Sequence, residues 1–369
     1  MKKSNLGTDF YDIIIKKTQE KIVVNKSVPD KKWEVPLFSR AEINSAGRTI
    51  ANPKATKEER EAALKVMNNW RASHAYPLQV IASNLRLRNP DAIVVQRLKR
   101  LESITGKISR FPDMNLYRMQ DLGGCRVIVD TIDDVYESLN RYKNSRIRHI
   151  LKRENDYIQN PKTSGYRSYH MAYMFQSDKK ETYNKNMLIE IQFRTRLQHT
   201  WATAVEVMGI YTKSNLKSSQ GDKEILRFFV LVSSVFAIME NTPTCPGTSK
   251  NYDDLIKEIK EIDGRNNLLL ALSGLRTAIN TVNDKIKNNK NGYYILILDY
   301  KENTVTVKSF KSKDVEIATT VYNEIENGVD ESKDVVLVSA GSIDALKTAY
   351  PNYFVDISEF IKMMRDILK

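Results

Sequence analysis

The chain has 369 residues, 41% hydrophobic and 28% charged, enough to bury a full core in two or three domains. Two cysteines without a CxxC pair argue against a disulfide framework or a thiolate zinc site. Four scattered histidines, with no HxxxH or His-Asp pair, argue against hydrolytic metal centres of those types. A net charge of +13 favours polyanionic partners through long-range attraction and counterion release.

The opening "MKKSNLGTDF" has no apolar signal core, and the most apolar run, "FFVLVSSVFAIM" (228–239), is too short to span a bilayer. The expectation is a cytoplasmic protein with no membrane partner. Residues 1–90 read as helical with irregular stretches. A helix is expected to open at Ser39 or Ser45, and good helix formers over 54–85 are broken near Pro77. "DAIVVQRLKRLESITGKISR" (91–110) spaces its apolar residues as one amphipathic helix.

Strand signals follow at "GCRVIVD" (124–130), near 147–156, at "RSYHMAYMF" (167–175) and at "MLIEIQFRT" (187–195). Helices are predicted at 133–144 and 196–211, giving a mixed α/β domain. Residues 224–288 read as helical. Beyond them come a hairpin of "GYYILILDY" and "NTVTVKSF", a helix over 312–327, a strand at 334–340 and a final helix, together a small α+β domain.

Basic residues cluster. "RYKNSRIRHILKR" (141–153) carries Arg141, Lys143, Arg146, Arg148, Lys152 and Arg153 with no acid. In "DLGGCR" (121–126) Asp121 precedes a strand and Arg126 lies just inside it, with glycines allowing close approach. In "IEIQFRT" (189–195) the period of two puts Glu190 and Gln192 on one face. Two carboxylates on neighbouring strands suit Mg²⁺ shared with substrate phosphates, and Arg97, Lys99, Lys107 and Arg110 would surround a phosphate chain. The same residues also read as a turn cap, an exposed strand carboxylate and a solvated helix face. In "PKTSGYRSYH" (161–170) a loop bearing Tyr166 among Lys162, Arg167 and His170 runs into a strand.

Taken together, "RLKRLESITGK", "DLGGCRVIV", "DYIQNPKTSGYRSYH" and "IEIQFRTRLQHTWA" resemble the synthetase domain of the RelA/SpoT homologues over residues 97–211. The resemblance implies an α/β (α+β) nucleotidyltransferase-like fold with a mixed sheet and flanking helices. It also implies an enzyme, a pyrophosphokinase that moves the β,γ-pyrophosphate of ATP to a ribose hydroxyl with Mg²⁺. Arg97 and Arg126 would sandwich adenine, and Lys99, Lys107 and Arg110 would hold the phosphates. Asp121 and Glu190 would bind the metal, Glu190 alternatively taking the hydroxyl proton. Tyr166 would stack on the acceptor base, with further acceptor contacts from Lys162, Arg167, His170 and Gln192. Asp156, Arg194, His199 and Glu206 match family positions without an assigned role. Tyr169 and Phe193 depart from the usual aliphatic residues, which bears on substrate fit. No hydrolase motif accompanies the synthetase pattern.

The flanks "FSRAEINSAG", "NWRASHAYPL" and "VVLVSAGSIDALKTAYPNYFVD" are similar to the toxic small alarmone synthetases of the fused CapRel type. That likeness implies tRNA as acceptor, modified at its 3′-terminal adenosine, with Arg141 to Arg153 on its backbone. It implies a small α+β C-terminal pseudo-zinc-finger domain without zinc, acting as an antitoxin released by a phage protein, the major capsid protein. Tyr350 and Tyr353 are expected to occupy the arginine faces that adenine needs. The alternative is a synthetase of guanosine tetra- or pentaphosphate with a regulatory tail. The resulting division is 1–90 helical, 91–215 synthetase core, 216–288 helical connector and 289–369 antitoxin and sensor.

Overall fold

The computed structural model describes residues 33–111, 114–212, 214, 216, 220–275, 292–299, 304–328, 333–340, 343–350 and 357–369. Three helices lead in: α1 (Arg40–Ala51), α2 (Lys57–Ser73) and α3 (Ala75–Arg88). Ser39 opens α1 and Thr56 opens α2, each in a reciprocal capping box with a glutamate three residues on. The break between α2 and α3 falls at His74, three residues before Pro77, which is tolerated in the first turn of α3.

The run 91–110, expected as one helix, is a strand followed by a helix: β1 (Ile93–Leu98) and α4 (Leu101–Arg110). Ile93, Val94 and Val95 are β-branched and find a partner in β2 (Gly123–Val129), so pairing overrides the helical spacing. The strands β3 (Ile150–Asp156), β4 (Tyr169–Met174) and β5 (Leu188–Thr195) follow, with α5 (Ile132–Lys143) and α6 (Arg196–Tyr211). Helices α7 (Lys223–Met239), α8 (Tyr252–Asn266) and α9 (Leu268–Leu275) form the described part of the connector. The last elements are β6 (Gly292–Asp299), β7 (Thr304–Phe310), α10 (Val315–Gly328), β8 (Lys333–Ala340), α11 (Ile343–Ala349) and α12 (Ser358–Ile367). Among the described residues no helix is long and apolar enough to cross a membrane.

One mixed sheet of eight strands runs β3-β4-β5-β2-β1-β8-β6-β7, with β2 and β5 parallel and the other pairs antiparallel. The C-terminal strands therefore extend the sheet formed by β1 to β5. β8 meets β1 through Gln96 opposite Ser339 and Arg97 opposite Val338. Helix α12 does not stay with that hairpin: Phe360, Ile361 and Met364 enter the core of α6, α7 and α8 beside Trp201, Phe228 and Leu255. Residues from Trp33 to Lys369 form one compact unit.

A buried ionic cluster fastens the C-terminal strands. Arg71 on α2 is 1% exposed. It donates to the carbonyl of Lys99 (2.6 Å), pairs with Glu326 on α10 (2.9 Å), and bonds the hydroxyl of Tyr322 while lying over its ring. Glu326 also accepts the backbone N–H of Leu101 (3.1 Å), and Arg100 pairs with Asp334. Charges this deep are costly unless paired, so the cluster holds the register of β8 against β1.

Candidate active site

Alternation along β5 turns Glu190, Gln192 and Arg194 to one face. Register adds Gly124 and Arg126 of β2 opposite Glu190 and Gln192, His170 of β4 opposite Gln192, and Arg97 of β1 opposite Gly124. At Gly124 an added Cβ would meet nothing within 4 Å and would project into the site. At Gly165 the backbone is left-handed (φ +87°), and a Cβ would strike the Trp201 ring at 2.8 Å. The loop before Tyr166 therefore needs glycine for both reasons.

Asp121 stands between two lysines. Lys99 Nζ reaches one carboxylate oxygen at 2.8 Å and Lys107 Nζ the other at 2.9 Å. Burial alone would raise its pKa, but the two ammonium groups prevail and hold it down to about 2. Glu190 accepts from His170 Nδ1 (3.1 Å) and from Gln192 Nε2 (2.7 Å). Burial opposes its ionisation too, yet His170 keeps it below the usual carboxylate range. The other ring nitrogen of His170 bonds the Tyr166 hydroxyl at 2.8 Å. Burial disfavours the imidazolium, but Tyr166 and Glu190 outweigh it and raise the pKa to about 9.

Two cavities open on this face. The smaller, about 70 Å³, is lined by Arg97, Lys99, Asp121, Arg126, Glu190 and Tyr350 among others. The larger, about 270 Å³, shares Arg97, Arg126 and Gln192 with it and extends past Lys162, Tyr166, His170 and Arg194 to Glu206 on α6. Lys162 Nζ lies 4.2 Å from the Tyr157 ring centroid and 5.4 Å from that of Tyr166. The C-terminal segment closes the smaller cavity. Arg126 donates to the carbonyl of Ala349 (2.8 Å) and lies over the Tyr350 ring, 5.7 Å from its centroid; His199 meets the carbonyl of Thr348 at 2.6 Å.

No group of three or more His, Cys, Asp or Glu side chains that could hold a metal occurs among the described residues. Asp121 and Glu190 nevertheless share one cavity, and the pairing of Asp121 with two ammonium groups shows that this spot favours cations. Two carboxylates completed by phosphate oxygens are a donor set that Mg²⁺ accepts.

Residues 96–216 match the family model described as the region found in RelA / SpoT proteins. That stretch is similar to the RelA/SpoT region. It makes up about a third of the chain. GTP pyrophosphokinase YjbM of Bacillus subtilis (strain 168) is 34% identical over 119 residues, which cover 31% of this chain and 54% of that protein. GTP pyrophosphokinase YwaC of the same organism is 33% identical over 123 residues, covering 31% and 56%. The chain thus spans about half the length of the curated relatives it matches. Among solved structures, the small alarmone synthetase 1 from Bacillus subtilis bound to its product pppGpp is 22% identical. It covers 53% of this chain and 94% of its own, with a TM-score of 0.38. A GTP pyrophosphokinase family protein from Streptococcus pneumoniae is 26% identical, covering 50% and 91%, with a TM-score of 0.36.

This stretch brings Arg97, Lys99, Lys107, Asp121, Arg126, Glu190 and Gln192 together, and sets Lys162, Tyr166 and His170 around the adjoining cavity. Two expected ligands lie elsewhere. Arg110 is exposed on the last turn of α4 and lines neither cavity. Arg167 points away from the larger cavity, because strand-like alternation sends it to the side opposite Tyr166. There it is 3% exposed and donates to Ser233, Thr242 and the carbonyls of Ile158 and Pro243, with Cys245 Sγ at 3.9 Å. It braces the Tyr166 loop against α7 instead of touching the cavity.

The six basic residues from Arg141 to Arg153 are all exposed: Arg141 and Lys143 on the end of α5, Arg146 and Arg148 in the connection that follows, and Lys152 and Arg153 on the edge strand β3. Arg141, Lys143 and Arg148 pair with Glu137, Glu154 and Asp178. Of the two tyrosines expected on the arginine faces, the Tyr350 ring lies beside the Arg126 guanidinium, whereas Tyr353 lies outside the described residues. Sequence reasoning missed Tyr157, Arg71 and Glu326. Tyr157 stood in a quoted motif, but nothing in a helical pattern marks Arg71 as the one buried charge of α2.

His170 carries a pH signature. Its folded pKa, about 9, lies above the ordinary value of 6.5, so its contribution to stability is complete below pH 6.5 and lost as pH rises through 9. The gap corresponds to on the order of 3 kcal/mol. The group faces Tyr166, Tyr157, Glu190 and Gln192. Denaturant midpoints at pH 6, 7.5 and 9 should fall in the parent chain and stay flatter in His170→Gln; parallel curves would refute the assignment.

Proposed function

We propose that the chain is an ATP-dependent pyrophosphotransferase whose acceptor is the 3′-terminal adenosine of tRNA, held inactive by its C-terminal segment. The observation that carries the transfer reading is Asp121, between Lys99 and Lys107, facing Glu190 across one cavity flanked by Arg97 and Arg126. In this reading a ribose oxygen attacks the β-phosphorus of ATP. The bond from that phosphorus to the α-phosphate oxygen breaks, AMP departs, and the hydroxyl proton passes to the Glu190 carboxylate.

Lys99 and Lys107 move from Asp121 to the phosphate oxygens, and Arg97 and Arg126 stack on adenine. Asp121 would hold Mg²⁺, with Glu190 as a further ligand where it does not serve as the base, and the ion would supply neutralisation of phosphoryl charge. His170 and Gln192 orient Glu190, and Tyr166 carries the acceptor base. Exposed Arg146, just before the edge strand β3, and Lys152 and Arg153 on that strand, next to the strand that bears His170, favour a polyanionic acceptor. Tyr350 on the Arg126 face supports a built-in antitoxin role for the C-terminal segment, of pseudo-zinc-finger type. The likeness to the fused toxic branch adds a phage protein, the major capsid protein, as the releasing partner.

A second reading, transfer to GDP or GTP, is favoured by the GTP pyrophosphokinase names of the relatives. Incubation of the full chain and of Tyr350→Ala with γ-labelled ATP, Mg²⁺ and either bulk tRNA or GDP plus GTP decides between them. Label on tRNA supports the first reading. Label on guanine nucleotides alone replaces it with the second, and label on neither refutes both.

A further inference from the structure

Three arginines are almost fully buried among the described residues: Arg71, Arg167 and Arg194, at 1%, 3% and 2% exposure. The first two have their donors met, Arg71 by Lys99, Tyr322 and Glu326, and Arg167 by two hydroxyls and two carbonyls. Arg194 differs. Its Nε has no hydrogen-bond partner, and no carboxylate pairs with it among the described residues. It is also the only one of the three that lines the 270 Å³ cavity. Its neighbour Arg126 likewise keeps a buried Nε without a partner, and Arg97 lines the same wall.

A guanidinium does not shed its proton, so burying one unpaired beside two others is costly. Arg126 and Arg97 add to the cost that burial imposes on Arg194. Arg194 stays fixed because the strand ends there: Thr195 caps α6 in a reciprocal capping box with Gln198, which locks the last residues of β5 in place. Such a site suits a planar or tetrahedral oxyanion. The nearest carboxylates do not fill the gap. Glu190 is engaged by His170 and Gln192, and Glu206 lines the cavity from α6.

We infer that Arg194, with Arg126, is a phosphate subsite that takes the 5′ phosphate of the acceptor nucleotide. This rests on the transfer reading above and deepens it. Arg194 lies four residues beyond Glu190 on the same strand face, about 13 Å along the backbone. The cavity that Glu190 lines and the one that Arg194 lines share Arg97, Arg126 and Gln192, so a single nucleotide can extend from one residue to the other. With the hydroxyl at Glu190 and the base on Tyr166, the phosphate falls at Arg194. A free nucleotide and the last phosphodiester of an RNA 3′ end present the same group there.

The test removes that one charge from the ligand. Binding of guanosine is compared with GMP, and binding of the trinucleotide CCA is compared with CCA carrying a neutral methylphosphonate at its last linkage. The proteins are the full chain, Arg194→Gln and Arg194→Lys, each also with Tyr350→Ala so that the closed face does not hide the cavity. Removing the charge should weaken binding to the parent chain roughly ten- to a hundredfold. In Arg194→Gln the ratio should shrink to within a few-fold, with Arg194→Lys between. An effect in the CCA pair alone assigns the phosphate to RNA, and an effect in the GMP pair alone to a mononucleotide. Equal charge sensitivity with and without Arg194, indifference in every chain, or no binding of any probe overturns the subsite. Persistence of the Arg194-dependent ratio in a chain that transfers no label would refute the transfer reading and leave the subsite standing.

Discussion

Tyr350→Ala in the full chain is expected to raise ATP affinity at least about tenfold and to make expression toxic, while Tyr350→Phe stays close to the parent. The ring is 2% exposed, lines the smaller cavity with Arg97, and faces the Arg126 guanidinium that adenine would stack on. Tyrosine and adenine thus compete for one stacking surface, and a ligand that binds only the vacated surface draws the population open. A cation–π contact is worth about 0.5–2 kcal/mol and burial of the ring about another 2 kcal/mol, together enough to tilt the balance by well over tenfold. The attachment of the C-terminal strands does not depend on this ring, because Arg71–Glu326, Arg100–Asp334 and the β8–β1 register remain. The substitution should therefore clear the adenine site without unseating the sheet. Phenylalanine keeps the ring and should keep the inhibition. A fluorescent ATP analogue titrated into each variant, with circular dichroism to verify the fold, measures this. A folded Tyr350→Ala chain with parental ATP affinity would end the autoinhibition reading.

Local rules made most of the synthetase half legible. A capping residue, Ser39 of the two candidates, placed the start of α1, helical spacing placed α6, and the two-residue period set Glu190 and Gln192 on one face; the same step leads on to Arg194, which had no assigned role. The period also explains the misplacement of Arg167, since the residue after Tyr166 must point to the opposite side. The stretch 91–110 deceived because Ile93, Val94, Leu98, Leu101 and Ile104 satisfy a helical spacing, while only the presence of β2 reveals that the first half is a strand. What could not be read is non-local. The join between β8 and β1 rests on two residue pairs far apart in sequence, and the Arg71–Glu326 contact links two helices whose own patterns are unremarked. The arrival of α12 in the connector core is of the same kind: its apolar stripe shows that it packs, but not on what.

Glu190→Gln should abolish transfer, by about a thousandfold or more, while leaving ATP binding within a few-fold. The amide keeps the size of the side chain but accepts no proton and carries no charge. Asp121→Asn should instead damage both functions. Asp121 is the counter-charge for Lys99 and Lys107, so its loss leaves two ammonium groups in one partly buried pocket with nothing between them. Its carboxylate, held at about pKa 2, is ionised throughout the working range, so acid does not silence it before the fold itself suffers. The two variants separate by a second readout. The raised pKa of His170 depends in part on Glu190, after Tyr166, so Glu190→Gln should lower it from about 9 toward its ordinary value, and Asp121→Asn should not. Imidazole titration by NMR follows this directly. Lost transfer with a lowered His170 pKa and retained ATP binding places Glu190 at the reacting hydroxyl. Retained transfer in Glu190→Gln would remove it from the chemistry, and would leave the carboxylate as no more than the partner that keeps His170 charged.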